Sequence, residues 1–513
     1  MHPFSEKVFL QLTLPEEDHP VSDHKQILQA LQELGYENVT VPLDVLRQLY
    51  PKCRDSGFQI TVTLVCREND WILTGVEPGD RRQWHYGLAV DYGSTTIVMQ
   101  LVDLHSGKVI DQVKAVNGQT AYGTDILTRI THSLEDPSHM EDLQRATTET
   151  FNSLLELLTE NTGIDAGKCA AMIVSGNTTM IHFLLKLNAW TVFAAPFAPV
   201  TADPGWFWGR ELGIDLDGLV YIIPAASNYI GGDIVSGLLR LGIHRQEDIG
   251  LFFDIGTNGE LVVGNKDWMI AGAGAAGPAL EGYISRYGMR AADGAIDTVT
   301  IRDGQLRFTT IGNQKPVGIC GSGIIDLLAQ MLCSGWINAA GELDPQASPR
   351  IVYLEEEQQY AALYALASES ATGTPLFFTQ TDIRQYLDTK AAAYTMIECL
   401  LEAASCREED LAHCYLSGAF TAHSDLESAI TIGIFPDLPR EKYSCIPNTS
   451  LEGARMLLLD RGLLQEARTL SESMYCIQFA SIPDFLIRMQ AAKFLPHTDM
   501  GRYPSILPRL PRK

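Results

Sequence analysis

One short pattern occurs twice in this 513-residue chain and limits what it can fold into. "LAVDYGSTTIVMQLVD" occupies residues 88–103 and "LFFDIGTNGELVVG" occupies residues 251–264. Each reads as an apolar strand ending in Asp, a tight Gly turn rich in short polar side chains, and a second strand. In the first copy Gly93 allows a sharp turn after Asp91, and Ser94, Thr95 and Thr96 present hydroxyls and amide N–H groups on one side. The second copy offers Asp254, Gly256, Thr257, Asn258 and Gly259, with Glu260 as an extra acid. Such a turn binds anions through its amides, and the carboxylate at its mouth can hold Mg²⁺ or orient water. One Asp–Gly turn between strands is routine. Two copies, 163 residues apart and each opening a three-stranded unit, predict two α/β lobes that clamp a polyphosphate and its metal between two carboxylates.

The flanking segments repeat as well. "VIDQVKAV" and "WMIAGA" supply a third strand in each half, and helix-rich stretches follow. Each half then has a strand running into a Gly turn, "AAMIVSGNTTM" in one and "CYLSGAF" in the other. "VGICGSGIIDLLAQML" places Gly321, Ser322 and Gly323 at a helix N-terminus, where free N–H groups favour a negative or polar ligand. Gly418 stands where a backbone can approach a flat ring closely. Taken one at a time, these junctions read first as structural turns or caps.

The expected domains are a small α+β unit over 1–85, a first lobe over 86–245, and a second lobe with C-terminal helices over 246–513. In the first unit "VFLQLTL" alternates as a strand. Ser22 is placed to cap a helix whose apolar face is Ile27, Leu28, Leu31 and Leu34, with Gly35 ending it. "QITVTLVCRENDWILTGV" reads as a hairpin.

A formal net charge of −25 disfavours nucleic acid and anionic membranes as partners. The ten cysteines include no C-x-x-C pair, and Cys399, Cys406 and Cys414 lack the tight spacing of a zinc or iron–sulfur site. No apolar run reaches the ~18 residues of a membrane helix, and the start lacks the regions of a signal peptide. The expectation is a cytoplasmic chain with reduced thiols.

Together, "VDYGSTT", "VSGNTTM", "FDIGTNGE" and "LSGAF" resemble the phosphate, connect and adenosine motifs of the actin/sugar-kinase/heat-shock-chaperone ATPase superfamily. Within it, "GQTAYGTDILTRI", "APFAPVTADPG", "GPALEGYISRYGMRAADGAI", "GICGSGIIDL", "TQTDIRQY" and "IPNTSLEGARMLL" are similar to the ATP-dependent reductive activators of corrinoid proteins. The likeness runs from about residue 86 to 460, and the first 85 residues resemble that family's linker and middle region. It implies a two-lobed actin-like (ribonuclease H-like) ATPase fold with a small N-terminal α+β domain. It also implies an activity, in which ATP drives an electron onto an inactive cobalt(II) corrinoid and restores cobalt(I) for methyl transfer.

By position, Asp91 and Asp254 would be the catalytic, Mg²⁺-associated carboxylates. Gly93, Ser94, Thr95, Thr96, Asn177, Gly256, Thr257, Asn258 and Gly259 would surround the phosphates, and Gly321, Ser322, Gly323 and Gly418 the nucleoside side. The implied partners are a corrinoid protein and, weakly, a second copy of the chain. Family members usually begin with a four-cysteine [2Fe–2S] domain, whereas this sequence starts at the linker. The chain is therefore expected to carry no iron–sulfur cluster and to take its electron from a separate low-potential iron–sulfur donor.

Two other readings stay open, a small-molecule kinase and a non-enzymatic nucleotide-binding scaffold on the same fold. The kinase would need a general base, for which Asp233 is available, although its place at a helix start reads first as a cap. His423 reads as a surface histidine near a helix start, and Trp206 and Trp208 as packing at a domain boundary. Cys320 reads as a small packing residue.

Overall fold

Alternating burial of Val8 and Leu10 sets the first strand of the amino-terminal unit, β1 (Ser5–Gln11), in a computed structural model that describes residues 2–18, 20–256, 258–274, 282, 284–418 and 425–511. With β2 (Val39–Thr40), β3 (Gln59–Arg67) and β4 (Asp70–Pro78) it forms a sheet in the order β1-β3-β4-β2. Two helices, Asp23–Glu33 and Leu43–Asp55, cover one face through Ile27, Leu31, Val45 and Leu49. Ser22 caps the first helix by accepting the Lys25 N–H, and Gly35 leaves it at φ +91°. Leu34, expected on the apolar face, is 58% exposed, because it is the C-cap residue and the helix has ended before it. The second helix continues through Pro51, a residue that the sequence presents as a breaker.

The next sheet contains β5 (Tyr86–Tyr92), β6 (Thr96–Asp103), β7 (Val109–Val116), β8 (Ala171–Gly176), β9 (Gly205–Trp208) and β10 (Leu219–Ile222). Its order is β7-β6-β5-β8-β10-β9, with β5, β8 and β10 parallel to one another. The helix Pro137–Thr162 packs Leu143, Phe151, Leu154 and Leu158 into the same core as Leu88, Val90, Met99 and Leu101. Asp136 caps this helix, Pro137 takes its first position, and Gly163 closes it in the left-handed region at φ +71°.

Residues Met1–Leu241 together with Thr449–Ser473 form one compact unit. Its late segment is two helices, Thr449–Leu459 and Leu463–Ser473. The first crosses the helix Gly232–Leu241 so closely that a Cβ on Gly453 would lie 1.9 Å from the Ser236 carbonyl oxygen. Arg461 pairs with Glu6 of β1 at 2.7 Å, and Arg468 pairs with Glu68 at 3.1 Å and Asp203 at 3.0 Å. The late segment therefore grips both the amino-terminal sheet and the sheet that carries Asp91.

The second unit is Gly242–Asn448 with Met474–Lys513. Its main sheet holds β11 (Ile249–Ile255), β12 (Gly259–Gly264) and β13 (Met269–Gly274). A hairpin of β14 (Ala295–Arg302) and β15 (Gln305–Thr310) turns on Asp303 and Gly304, both at positive φ, and β16 (Gly318–Ile319) joins it. A further small sheet is β17 (Ile351–Leu354), β18 (Gln359–Ala365) and β19 (Leu376–Thr379). The strands β20 (Leu411–Ser417), β21 (Tyr443–Cys445) and β22 (Tyr475–Ile477) complete the main sheet in the order β21-β20-β11-β12-β13-β22.

The run β13-β12-β11-β20-β21 repeats β7-β6-β5-β8-β10, three antiparallel strands followed by two parallel ones. This is the ribonuclease H-like order expected for both lobes of an actin-like fold, with a small α+β domain at the amino end. Among the described residues, no helix is long and apolar enough to cross a membrane.

The helix Gly321–Cys333 buries Asp326 in the core of the second unit, where Val299 donates its N–H to Oδ2 at 3.2 Å. Burial, with help from Asp425 and Asp297, pushes this carboxyl up from 3.8 to about 6. The folded state holds that proton more tightly than the unfolded state does. Its contribution is therefore fully present below pH ~4 and is lost as pH rises through about 6. Replacing Asp326 with Asn removes the titration. The thermal midpoint of the variant should gain on wild type between pH 4 and 6.5 and level off above, with a span of roughly 3 kcal/mol at most. Parallel stability–pH curves for the two proteins would contradict this.

Candidate functional site

In the first unit, the four-residue turn between Tyr92 and Ile97 is shaped from behind. The Gly93 carbonyl accepts from Asn117 Nδ2 at 3.0 Å, the Ser94 carbonyl from Arg129 Nη1 at 2.6 Å, and the Thr95 carbonyl from the Asn117 N–H at 2.9 Å. In a trans peptide the N–H points opposite to the carbonyl of the same unit. With the carbonyls of residues 93–95 turned inward, the N–H groups of residues 94–96 are directed to the other side, as an anion cradle requires. Gly93 is dictated by space, since a Cβ there would lie 2.5 Å from the Thr96 carbonyl oxygen.

Arg129 is fully buried, and its donors go to carbonyl oxygens, including Gly123 at 2.9 Å, rather than to a carboxylate. Burial lowers its pKa, with Tyr92 and Asp125 opposing that shift. Beside it Gln119 Nε2 donates to Thr147 Oγ1 at 2.7 Å and to the Tyr92 hydroxyl at 3.1 Å, and its N–H donates to Asn117 Oδ1 at 3.0 Å. The side chains under the turn thus form one buried polar network, with a cation facing the back of the proposed anion site.

Asp91 is half-buried at the end of β5 and lies in register with Ser175 on β8. Ser450 Oγ donates to Asp91 Oδ1 at 2.8 Å. Asp233, which the sequence presents as a cap, does accept the Ile234 N–H at 2.9 Å in the first turn of its helix. It also faces Asp91: burial and then the Asp91 charge push its pKa up to about 7. The sequence signals Asp233 only as a helix start and gives no sign of Ser450. Nothing local links either residue to Asp91.

The second unit repeats the design with different detail. Asp254 is half-buried at the end of β11, opposite Glu260 on β12 and Ser417 on β20. The Ile255–Gly259 pair closes the turn that includes Gly256 and Asn258; Thr257 lies outside the described residues. The Gly256 N–H donates to the Asn258 carbonyl at 3.0 Å, and the position a Cβ would take on Gly256 is open space. Each acid turn therefore has an Asp beside a Ser-Gly on the neighbouring parallel strand, Asp91 with Ser175-Gly176 and Asp254 with Ser417-Gly418. Both glycines are forced by the turn next to them. A Cβ on Gly176 would lie 2.9 Å from the Tyr92 carbonyl, and one on Gly418 2.2 Å from the Ile255 carbonyl and 2.7 Å from Asp254 Oδ1.

Asn177 caps the short helix Thr178–Leu184, its Oδ1 accepting the Thr179 N–H at 3.1 Å. Gly321, Ser322 and Gly323 are buried at the start of their helix, whose N-cap Cys320 makes no side-chain cap bond. Gly323 packs against β14, where a Cβ would lie 2.3 Å from the Ile296 carbonyl. His423, and the end of "LSGAF" beyond Gly418, lie outside the described residues. Trp206 packs edge-on to Phe4 at 5.0 Å between the amino-terminal sheet and β10.

Burial pushes the thiols of Cys399 and Cys414 up to about 11 and about 12, away from the thiolate form that a cluster ligand needs. Among the described residues, one group of side chains comes near a metal-ligand arrangement: His132, Glu135 and His139. Its rings stack at 4.0 Å, and His139 Nδ1 donates to the His132 carbonyl at 2.9 Å, which takes that nitrogen out of ligation.

Three family models match the chain: the RACo linker region over residues 1–83, the RACo middle region over 86–246, and the C-terminal domain of RACo, the ASKHA domain, over 248–507. The chain is 30% identical over 482 residues to the corrinoid activation enzyme RamQ of Eubacterium limosum, covering 88% of this chain and 81% of that protein. It is 23% identical over 417 residues to the [Co(II) methylated amine-specific corrinoid protein] reductase of Methanosarcina barkeri, covering 74% and 71%. A solved structure of a reductive activator for corrinoid, iron–sulfur protein superposes with a TM-score of 0.89 at 35% identity, covering 98% of this chain and 81% of that one.

The guanidinium fork of Arg129 should be hard to replace. Arg129→Lys keeps the charge but cannot hold the Ser94 and Gly123 carbonyls in the same geometry. A loss of about 1–3 kcal/mol is expected in chemical denaturation followed by a probe in the first unit. A variant with a wild-type midpoint would mean that the turn does not depend on the fork.

Proposed function

The chain belongs to the RACo family, and on that premise we propose that it is an ATP-dependent reactivator of a corrinoid protein, promoting reduction of cobalt(II) to cobalt(I). The observation that carries this reading is the duplicated acid turn, Asp91 with its Ser-Gly neighbour and Asp254 with its own, in a chain matched by the ASKHA domain. An ASKHA domain binds nucleotide. The fit to Mg·ATP is supported by a cradle whose amides are turned away from the Asn117–Arg129 network, a second turn with open space at Gly256, and a carboxylate at each mouth. Asp91 and Asp254 would hold Mg²⁺ through oxygen, directly or through water, and the ion would supply charge stabilisation at the transferring phosphoryl group. Residues 93–96 and 256–259 would bind the phosphate oxygens, Asn177 would hold the edge of the phosphate side, and the 321–323 junction with Gly418 would line the nucleoside.

Coupling of this size is affordable in energy terms. A conformational preference of ~10⁴ is worth about 5.5 kcal/mol, and at ~59 mV per tenfold for one electron that is roughly 0.2 V of effective potential. The electron would come from outside, from a separate low-potential iron–sulfur protein. The same reading brings a cytoplasmic location and a homodimer.

Asp233 beside Asp91 is the one feature that favours a kinase, since a phosphoryl acceptor needs a carboxylate near the phosphate site. One set of assays separates the two. Wild-type protein should hydrolyse ATP, faster with an oxidised corrinoid protein, and should phosphorylate none of a panel of sugars. Asp254→Ala should lower hydrolysis by at least ~10²-fold with the fold intact. Unchanged turnover in folded Asp254→Ala, or ATP-dependent sugar phosphorylation, would sink the assignment. Cobalt(I) should appear only when a low-potential iron–sulfur protein or a strong chemical reductant is added. Stoichiometric iron and sulfide in anaerobically purified protein would overturn the external-donor part.

A further inference from the structure

Ser450 stands at the second position of the helix Thr449–Leu459 and is 5% exposed. Its Oγ lies 2.8 Å from Asp91 Oδ1 and 2.9 Å from Ser175 Oγ. Ser175 Oγ is in turn 2.7 Å from Ser236 Oγ, which lies 2.9 Å from the Asp233 carbonyl oxygen. Each hydroxyl carries a single proton. Ser450 Oγ gives its proton to Asp91 Oδ1. Ser236 donates to the Asp233 carbonyl, which leaves Ser175 one proton to give to Ser450 or to Ser236. A donation from Ser175 to Ser450 would polarise the Ser450 hydroxyl toward Asp91.

Geometry holds this chain in place. Ser175 sits opposite Asp91 in the sheet register, and the close approach of Gly453 to Ser236 prevents the Ser450 helix from sliding along its neighbour. From this we propose that Ser450 is a positioning residue for Asp91: its hydroxyl, backed by Ser175 and Ser236, holds one carboxylate oxygen so that the other stays aimed at the proposed metal. The proposal rests on the reading of Asp91 as a metal-associated carboxylate of an ATPase.

The test is steady-state ATP hydrolysis by the full chain, with Mg²⁺ titrated, for wild type, Asp91→Asn, and Ser450→Ala, Ser450→Cys and Ser450→Thr. Cysteine nearly matches the volume of serine but is a weak donor, so it keeps the question open if the alanine variant fails to fold. Ser450→Ala and Ser450→Cys should lower kcat by about ten- to a hundredfold and raise the Mg²⁺ concentration needed for half-maximal rate. The KM for Mg·ATP should change by less than about threefold, and Ser450→Thr should recover most of the rate. A folded Ala or Cys variant with wild-type kcat and Mg²⁺ requirement, alongside an inactive Asp91→Asn, would overturn the proposal while leaving the ATPase reading intact. A Thr variant as slow as Ala would assign the effect to packing and also overturn it. Wild-type protein that hydrolyses no ATP, or an Asp91→Asn variant with full activity, would instead remove the site reading and the proposal with it.

Discussion

The first acid turn depends on a buried cation. Taking a guanidinium out of water costs several kcal/mol unless its donors are satisfied. Arg129 meets part of that demand from backbone oxygens, Ser94 and Gly123, with Gln119 Oε1 and Met180 Sδ as weaker contacts, while its Nη2 has no partner among the described residues. Satisfying the guanidinium therefore means pulling the turn's carbonyls inward, which in turn sends its amides outward. The shape of the turn and the stability of the helix that carries Arg129 are two results of one set of hydrogen bonds. Mutating the network would be felt in both.

The second acid turn reaches a related shape by another route. There the constraint is steric: Gly418 passes so close to the Ile255 carbonyl and the Asp254 carboxylate that no side chain fits. The shared element is the pairing of an Asp at the end of one strand with a Ser-Gly on the parallel strand beside it. Parallel pairing brings those positions level without any turn between the strands, which is why the arrangement can be duplicated although the connecting segments differ. Membership of the RACo family and the duplicated turns thus point the same way, to a nucleotide-driven device, and the names of the relatives give its proposed target.

Much of this could be read from the residues. Asp91, Asp254 and their turns follow from local strand and turn chemistry, as do the Ser22 cap and the Asp303-Gly304 hairpin. What was not legible depends on distance along the chain or on the burial of single polar groups. Ser450 lies 359 residues from the carboxylate it contacts, in a helix with no local mark of its destination. Asp233 looked like a helix cap because its first-turn contact is local, whereas its proximity to Asp91 comes from the packing of β5 against its neighbours. Nothing local marks Arg129 as the residue that holds the Ser94 carbonyl. The helix over Leu43–Asp55 was hidden by Pro51, whose cost is met by packing of Val45, Leu49 and Cys53.

The return of Thr449–Ser473 to the first unit also orders events in time. A ribosome adding ~5–20 residues per second needs about 20 to 70 seconds to travel from Asp91 to Ser450. During that interval the helix Gly232–Leu241 lacks the helix Thr449–Leu459 that packs against it. Most of the second unit is synthesised before the first can close.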